Sequence, residues 1–244
     1  MPISWYGEIM VRNNDGQDVL ARYITTDIDM LKIESIGSNT VRSSGKYGIN
    51  STFFYLSTLL GIAVQDGAYV ENGTKNGSST NVYSRGTLYR LTNGTVGVKP
   101  VKYATDIAPL SDIKWAIGGI SLNLDKTYSS ETEFNSAINS EVGSVDVASK
   151  LTRTAVGIDA NNKIYLITFF DPTNENNRLY GVDLFDVHNI LKNTFKLTKA
   201  VNLDGGGSTA IAKNSSTGIR TVFDVEERAV RVMLTVPGAS FYNV

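Results

Sequence analysis

Residues 200–211 read AVNLDGGGSTAI. Asp204 stands where an apolar run, with Val201 and Leu203 on one strand face, meets Gly205, Gly206 and Gly207. Ser208 and Thr209 follow before the chain turns apolar again. Consecutive glycines free the backbone for positive φ and let another group approach closely. Successive N–H groups in such a turn can form a concave nest for an anion, and an adjacent carboxyl group can move a proton. One short loop therefore offers an acid, an anion cradle and a hydroxyl; the plain alternative is a connecting turn. Two other chemistries are excluded. No Gly-x-x-x-x-Gly-Lys-Ser/Thr string is present, so this is not a nucleotide phosphate loop. The Gly206–Ala210 string lacks the last glycine of a nucleophile elbow, and the lone histidine, His188, precedes Ser208 rather than following it.

The elements that must deliver these residues are mostly strands. Trp5–Val11 and Val19–Thr25 flank the turn residues Asn13–Gly16 and read as a hairpin. Residues 31–36 alternate apolar and polar, a half-buried strand. Arg85–Leu91 and Thr95–Tyr103 form a second hairpin turned at Asn93-Gly94. The stretch Leu151–Asp159, a turn at Asp159–Asn162 and the returning strand Lys163–Phe170 form a third. The clearest helix runs from Asp183 to Phe195, with Asp183 as cap and Leu184, Val187, Leu191 and Phe195 at helical spacing. It leads into the strand 197–203 that ends at Asp204. His188 lies at the edge of the apolar helix face and is assigned no chemistry. A short helix is expected at 131–138, and Arg228–Leu234 reads as a closing central strand. The fold class is thus α+β and mostly β, a mixed twisted sheet with a few packed helices. The 244 residues are read as a single domain. Residues 1–40 form an N-terminal β extension, and 71–80 and 127–149 are loop excursions.

Composition narrows the function. Apolar residues make up 41 % of the chain and the formal net charge is −1. Nucleic acid and anionic membrane, which call for a basic surface, are therefore not expected partners. With no cysteine, disulfide and thiolate chemistry are ruled out. A single histidine leaves too few ligands for zinc. Carboxylates and carbonyls leave calcium or magnesium open as a ligand, but no cofactor is required. No apolar run reaches membrane-spanning length. The opening MPISWYGEIM lacks the basic-then-apolar pattern of an export signal. That fits a chain not exported by that route, or one whose leader has been removed.

Three further stretches carry side chains of interest. Asn50 lies among apolar neighbours in Tyr47–Phe54. Arg153 precedes an apolar strand, where a guanidinium needs a partner. Asp171 or Asp204 could serve, or the fork could take a phosphate in bidentate fashion. Asp171 ends a strand, either as a second carboxylate or as a turn-forming residue. Glu227-Arg228 is either a structural ion pair or part of a site rim.

The string NLDGGGST closely resembles the signature of the phosphodiester glycosidase family. Three other segments support the likeness: Asn50 to Phe54, where Ser51 and Thr52 stand in place of the family's two glycines; Arg153-Thr154-Ala155-Val156-Gly157, where Thr152 replaces the usual proline; and Glu227-Arg228. The apolar stretch Trp115–Ile120 is similar to a further family segment. The resemblance implies hydrolysis of the glycosidic bond of a sugar-1-phosphodiester, for example that of an N-acetylhexosamine. The catalytic carboxylates it implies are Asp204, Asp171 and Glu227. The substrate-binding residues are Asn50, Arg153, Thr154, Gly205, Gly206, Gly207, Ser208 and Arg228. The partner is then a carbohydrate or sugar-phosphate, in the setting of a bacterial cell envelope, the extracellular space or a phage. Two rival readings remain: a glycosidase of cell-wall glycan such as peptidoglycan on the same fold, and a non-catalytic carbohydrate-binding or virion module.

Overall fold

The computed structural model describes residues 4–215, 217–238 and 240–241; the remaining positions of the domain read as 1–244 lie outside them. Three sheets carry the fold. The largest is seven-stranded, in the order Ile120–Ser121, Leu197–Asn202, Arg153–Asp159, Lys163–Phe170, Asp18–Asp27, Trp5–Arg12 and Ser240–Phe241. Its last pair is parallel and the others are antiparallel, which makes the sheet formally mixed. One five-stranded sheet runs Val96–Val101, Arg85–Leu91, Ile113–Gly118, Ala63–Gln65, Ala68–Tyr69. The other runs Arg220–Asp224, Ala210–Asn214, Gly48–Asn50, Val232–Thr235, Lys32–Ser35.

Side chains alternate across a strand, so each face of the large sheet has its own neighbours. Val156, Ile158, Ile164, Leu166 and Phe170 point into a core shared with Trp115 and Leu88 of one smaller sheet and Ile49, Ile211 and Leu234 of the other. Ala155, Ile167 and Phe169 point the opposite way, onto two helices: α1 (Glu131–Val142) and α2 (Leu184–Asn193). Because both faces are covered, strand 163–170 is apolar almost throughout rather than cleanly alternating. Helix α2 begins with Asp183 as N-cap in a capping box with Asp186, as its sequence requires. His188 is buried among Tyr128, Phe134 and Phe185, and its Nδ1 lies 2.6 Å from the Leu122 carbonyl. Burial lowers its pKa, which suits a neutral packing residue.

Four sequence expectations need correction. The N-terminal hairpin is not appended, because strand 18–27 pairs with strand 163–170 along its whole length in the middle of the large sheet. The segment 127–149 is not an excursion, since Phe134 and Ile138 of α1 are fully buried in the core. Likewise 71–80 is pinned by the buried Asn76, whose amide donates to the Val101 carbonyl and the Thr87 hydroxyl and accepts from the Ile62 N–H. The closing strand is also shorter than 228–234: only Val232–Thr235 is strand, because Glu227 takes a left-handed φ of 47° and turns the chain away. Among the described residues no helix is long and apolar enough to cross a membrane.

Candidate active site

Asp204 lies on the loop that leaves the large sheet at Asn202 and enters a smaller sheet at Ala210. Two other segments hold this loop by its backbone. The Leu203 N–H donates to the Thr154 carbonyl at 2.8 Å, the Asp204 N–H to Ser51 at 3.1 Å and the Gly206 N–H to Thr152 at 2.8 Å. Asn50 Nδ2 donates to the Asp204 carbonyl at 2.7 Å. The Oδ1 of Asn50 accepts from the Thr154 hydroxyl at 2.9 Å and the Ala210 N–H at 3.1 Å. The Thr152 hydroxyl closes the set on the Gly206 carbonyl at 2.9 Å. The segments around Asn50, Arg153 and Asp204 thus meet, through main-chain groups that would otherwise be left unpaired in the interior.

The glycines serve this geometry rather than an open anion nest. Gly206 sits at φ +58°, where a side chain is strained. A Cβ on Gly205 would lie 2.9 Å from the Thr152 carbonyl, and one on Gly207 would lie 2.1 Å from a Glu226 carboxylate oxygen. The Gly206 N–H is spent on Thr152 and the Ser208 N–H on Gly205 in a tight 3-10 turn, while the Gly205 N–H favours the Asp204 carboxylate. The expected cradle of N–H groups is therefore not formed, and Glu226, paired with Arg178 at 3.0 Å, places a negative charge beside it. Gly206→Ala is expected to cost about 1 kcal/mol through the backbone alone, since open space surrounds the position. Urea unfolding measures that loss; an unchanged midpoint would mean the turn adapts without strain.

The Asp204 carboxyl sits at the floor of a cleft of ≈ 520 Å³ that is also lined by Phe53, Phe54, Tyr55, Arg85, Asp146 and Arg153. Burial raises its pKa to about 6, against the opposing pull of the Ser208 hydroxyl, the Arg228 charge and the Gly205 N–H. Ser208 itself is buried and its hydroxyl has no hydrogen bond of ordinary geometry among the described residues. It faces the carboxyl group rather than the open cleft.

Three guanidinium groups face this carboxyl or line its cleft, and among the described residues none is paired with a carboxylate. Arg153 donates from Nε to Val182, from Nη1 to Asp146 and from Nη2 to Ser149, all main-chain carbonyls. Burial lowers its pKa to about 10, still far above neutrality. Neither of the partners expected for it, Asp171 or Asp204, is hydrogen-bonded to it. Arg85 donates to the carbonyls of Glu141 and Val142 at the end of α1 and packs its charge over Phe53 and Tyr83. Arg228 is exposed, with its guanidinium carbon 5.1 Å from the centre of the Phe54 ring.

Other expected roles change. Asn50 and Thr154 are fully buried and hydrogen-bonded to each other, and Asn50 holds the Asp204 main chain. Asp171 is turned onto its own loop: its oxygens accept from the Thr173 N–H and hydroxyl, the Asn174 N–H and Asn177 Nδ2. This is a turn-stabilising carboxylate, and those bonds hold its pKa down. Glu227 points outward and lies 3.8 Å from Arg42, which removes it from the cleft. Arg85, Asp146 and Phe54 were not identified from sequence. Asp146 caps the N–H groups of Ala148 and Ser149, which lower its pKa. Only the apolar-aromatic run at 53–55 carried a local signal. Among the described residues, no three His, Asp or Glu side chains gather as a metal ion would require.

A family model described as phosphodiester glycosidase matches residues 43–236. No match to the sequence was found among curated proteins. Among solved structures, the chain is similar to the catalytic domain of zebrafish N-acetylglucosamine-1-phosphodiester alpha-N-acetylglucosaminidase, auto-inhibited by its pro-peptide. The TM-score is 0.72 at 18 % identity, covering 96 % of this chain and 83 % of that one. A hypothetical protein from Synechocystis aligns with a TM-score of 0.54 at 14 % identity, over 95 % of this chain and 62 % of that one. At these identities the likeness is one of fold.

Proposed function

The chain belongs to the phosphodiester glycosidase family, and on that premise we propose that it hydrolyses the bond between the anomeric carbon of a sugar and the oxygen of a phosphodiester. An N-acetylhexosamine is the sugar to try first, because the zebrafish enzyme of similar fold is named for that group. Water adds to the anomeric carbon, the carbon–oxygen bond breaks, and a phosphate monoester departs with the bonding electrons. A phosphate is a far better leaving group than a sugar alkoxide, so strong acid assistance is dispensable. The site must instead bind the phosphate charge and stabilise the oxocarbenium-like transition state.

One observation carries this reading: a carboxyl group with its pKa raised to about 6 lies in a cleft whose guanidinium groups, among the described residues, make no ion pair with a carboxylate. At neutral pH Asp204 is mainly ionised and more basic than an exposed aspartate. It takes the proton of the attacking water and faces the developing positive charge at the anomeric carbon. Asp146, held ionised, is the second carboxylate of the cleft, so the two groups have pKa values pushed apart. Arg228, anchored on Phe54 and free of a carboxylate, takes the phosphate, with Arg85 and Arg153 supplying fixed positive potential behind it. The proposed chemistry uses side chains alone and calls for no cofactor. Guanidinium groups held in and beside the cleft favour this substrate over a neutral bond in cell-wall glycan.

The test is incubation with N-acetylglucosamine 1-(methyl phosphate) and, separately, purified peptidoglycan, with products identified by mass. Free N-acetylglucosamine and methyl phosphate are expected. Reducing ends from peptidoglycan with the phosphodiester untouched would overturn the proposal. Arg228→Ala is expected to lower kcat/KM on the phosphodiester about 100-fold, as loss of one charge-stabilising donor does. Steady-state kinetics beside an aryl glycoside without phosphate checks this; equal losses on both would remove the assigned role.

A further inference from the structure

The Asp204 cleft does not end at its aromatic wall. Phe54–Tyr55 and Thr58–Leu59 form a two-stranded hairpin whose tip places Leu56 at φ +53°, a costly conformation for a bulky side chain. That turn leaves Tyr55 68 % and Leu56 76 % exposed, so two large apolar side chains face solvent side by side. Tyr55 and Leu60 line the Asp204 cleft and also a second cleft of ≈ 470 Å³ on the other side of the hairpin.

The second cleft has a different chemistry. Thr58, Asn72, Thr74, Ser78 and Ser79 supply hydroxyl and amide groups, and no Asp or Glu is in its lining. Its one charge is Lys75, half-buried, whose ammonium makes no ion pair or hydrogen bond among the described residues. The wall is built rather than loose. Asn72 Oδ1 accepts from the Leu59 N–H at 3.0 Å, the Gly77 N–H donates to the Leu60 carbonyl at 2.8 Å, and the neighbouring Asn76 is fully buried with its amide spent. An exposed tyrosine ring flanked by hydroxyl and amide groups suits the apolar face and the hydroxyl edge of a sugar. An unpaired ammonium in a lining without acids suits a second anionic group.

We propose that the two clefts form one track for a polymeric substrate, a chain of sugars joined by phosphodiesters, and this rests on the hydrolytic reading above for the first cleft. The bond at Asp204 is cleaved, the sugar beyond its phosphate lies across Tyr55, and the next phosphate along the chain meets Lys75. The protein then acts on a glycan of repeating phosphodiesters in preference to a single sugar-phosphate ester.

The experiment compares kcat/KM per bond for N-acetylglucosamine 1-(methyl phosphate) and for a synthetic trimer of phosphodiester-linked N-acetylglucosamine. The trimer is expected to be favoured at least tenfold, with that ratio falling close to one in Lys75→Gln and in Tyr55→Ala. A ratio near one in the unaltered protein, or a ratio unmoved by both substitutions, overturns the proposal. Calorimetric titration with the trimer separates the two readings. Binding that Lys75→Gln weakens at least fivefold, without hydrolysis of either compound, keeps the track and removes the hydrolytic assignment. Binding of equal strength in both proteins, or none in the unaltered one, removes the track.

Discussion

Asp204→Asn is expected to abolish turnover and, at neutral pH, to make the protein more stable. The first effect follows from the loss of a cleft carboxyl group whose proton affinity is raised towards that of neutral solution, and is about 1,000-fold or more in kcat. The second follows from linkage. The folded state raises the Asp204 pKa from 3.8 to about 6, so it binds that proton more tightly than the unfolded chain does. Its stabilising contribution is complete below about pH 4 and is lost as the pH rises through 6. Two pKa units correspond to ~3 kcal/mol, which the ionised aspartate costs the fold at pH 7 and a neutral asparagine does not. Urea unfolding of both proteins at pH 7 and pH 4 should show a gap that closes on acidification. The rate of the unaltered protein should rise with pH through about 6 as the carboxyl group ionises. A variant that is fully active, or less stable at pH 7, would show that Asp204 neither acts on substrate nor carries a burial penalty.

The second large effect is expected far from solvent. Asn50→Ala leaves the Asp204 carbonyl, the Thr154 hydroxyl and the Ala210 N–H without their partner in a site that water does not reach. An unsatisfied buried group costs about 1–3 kcal/mol, so the loss should be about 3–4 kcal/mol after relaxation. The same change frees the backbone that aims the carboxyl group. Activity should therefore fall mainly in kcat, by about 100-fold, with KM little changed. Asn50→Asp is the sharper control. It keeps an acceptor for Thr154 and Ala210 but sets an oxygen against the Asp204 carbonyl, and it should lose activity just as severely. Normal stability and kinetics in both variants would show that the loop holds itself.

Much of the frame was legible from local pattern. Helix α2 announced itself through Asp183 and its apolar spacing, and the three hairpins through turn residues between apolar runs. The segments that converge on Asp204 were found through their resemblance to family motifs, but the hydrogen bonds made by their side chains were not legible. Asn50 and Thr152 act on main-chain groups of another segment and Thr154 on the Asn50 side chain, and such bonds leave no periodic trace in a sequence. Asp171 had its own signal, because the Thr173-Asn174 that follow it supply the donors of a tight turn; its place at a strand end made it look available. Arg85 was missed for the opposite reason. Its partners are the last carbonyls of a helix 56 and 57 residues away, and any backbone can offer carbonyls. The strand expected from Arg228 begins only at Val232, since the chain approaches it from a turn at the left-handed Glu227.

The Asp204 loop is the bridge by which the chain passes from the seven-stranded sheet to a five-stranded one. One side of it is fastened to Thr152 and Thr154 at the start of a large-sheet strand, the other to Asn50 and Ser51 at the end of a small-sheet strand. The carboxyl group therefore works like a pin through a hinge joint: its aim is defined only while both leaves keep their mutual alignment. Neither leaf alone could carry the chemistry, and a chain cut at this bridge would keep Asn50, Thr152 and Thr154 on one piece yet lose the tether to strand Ala210–Asn214 that holds the far end of the loop.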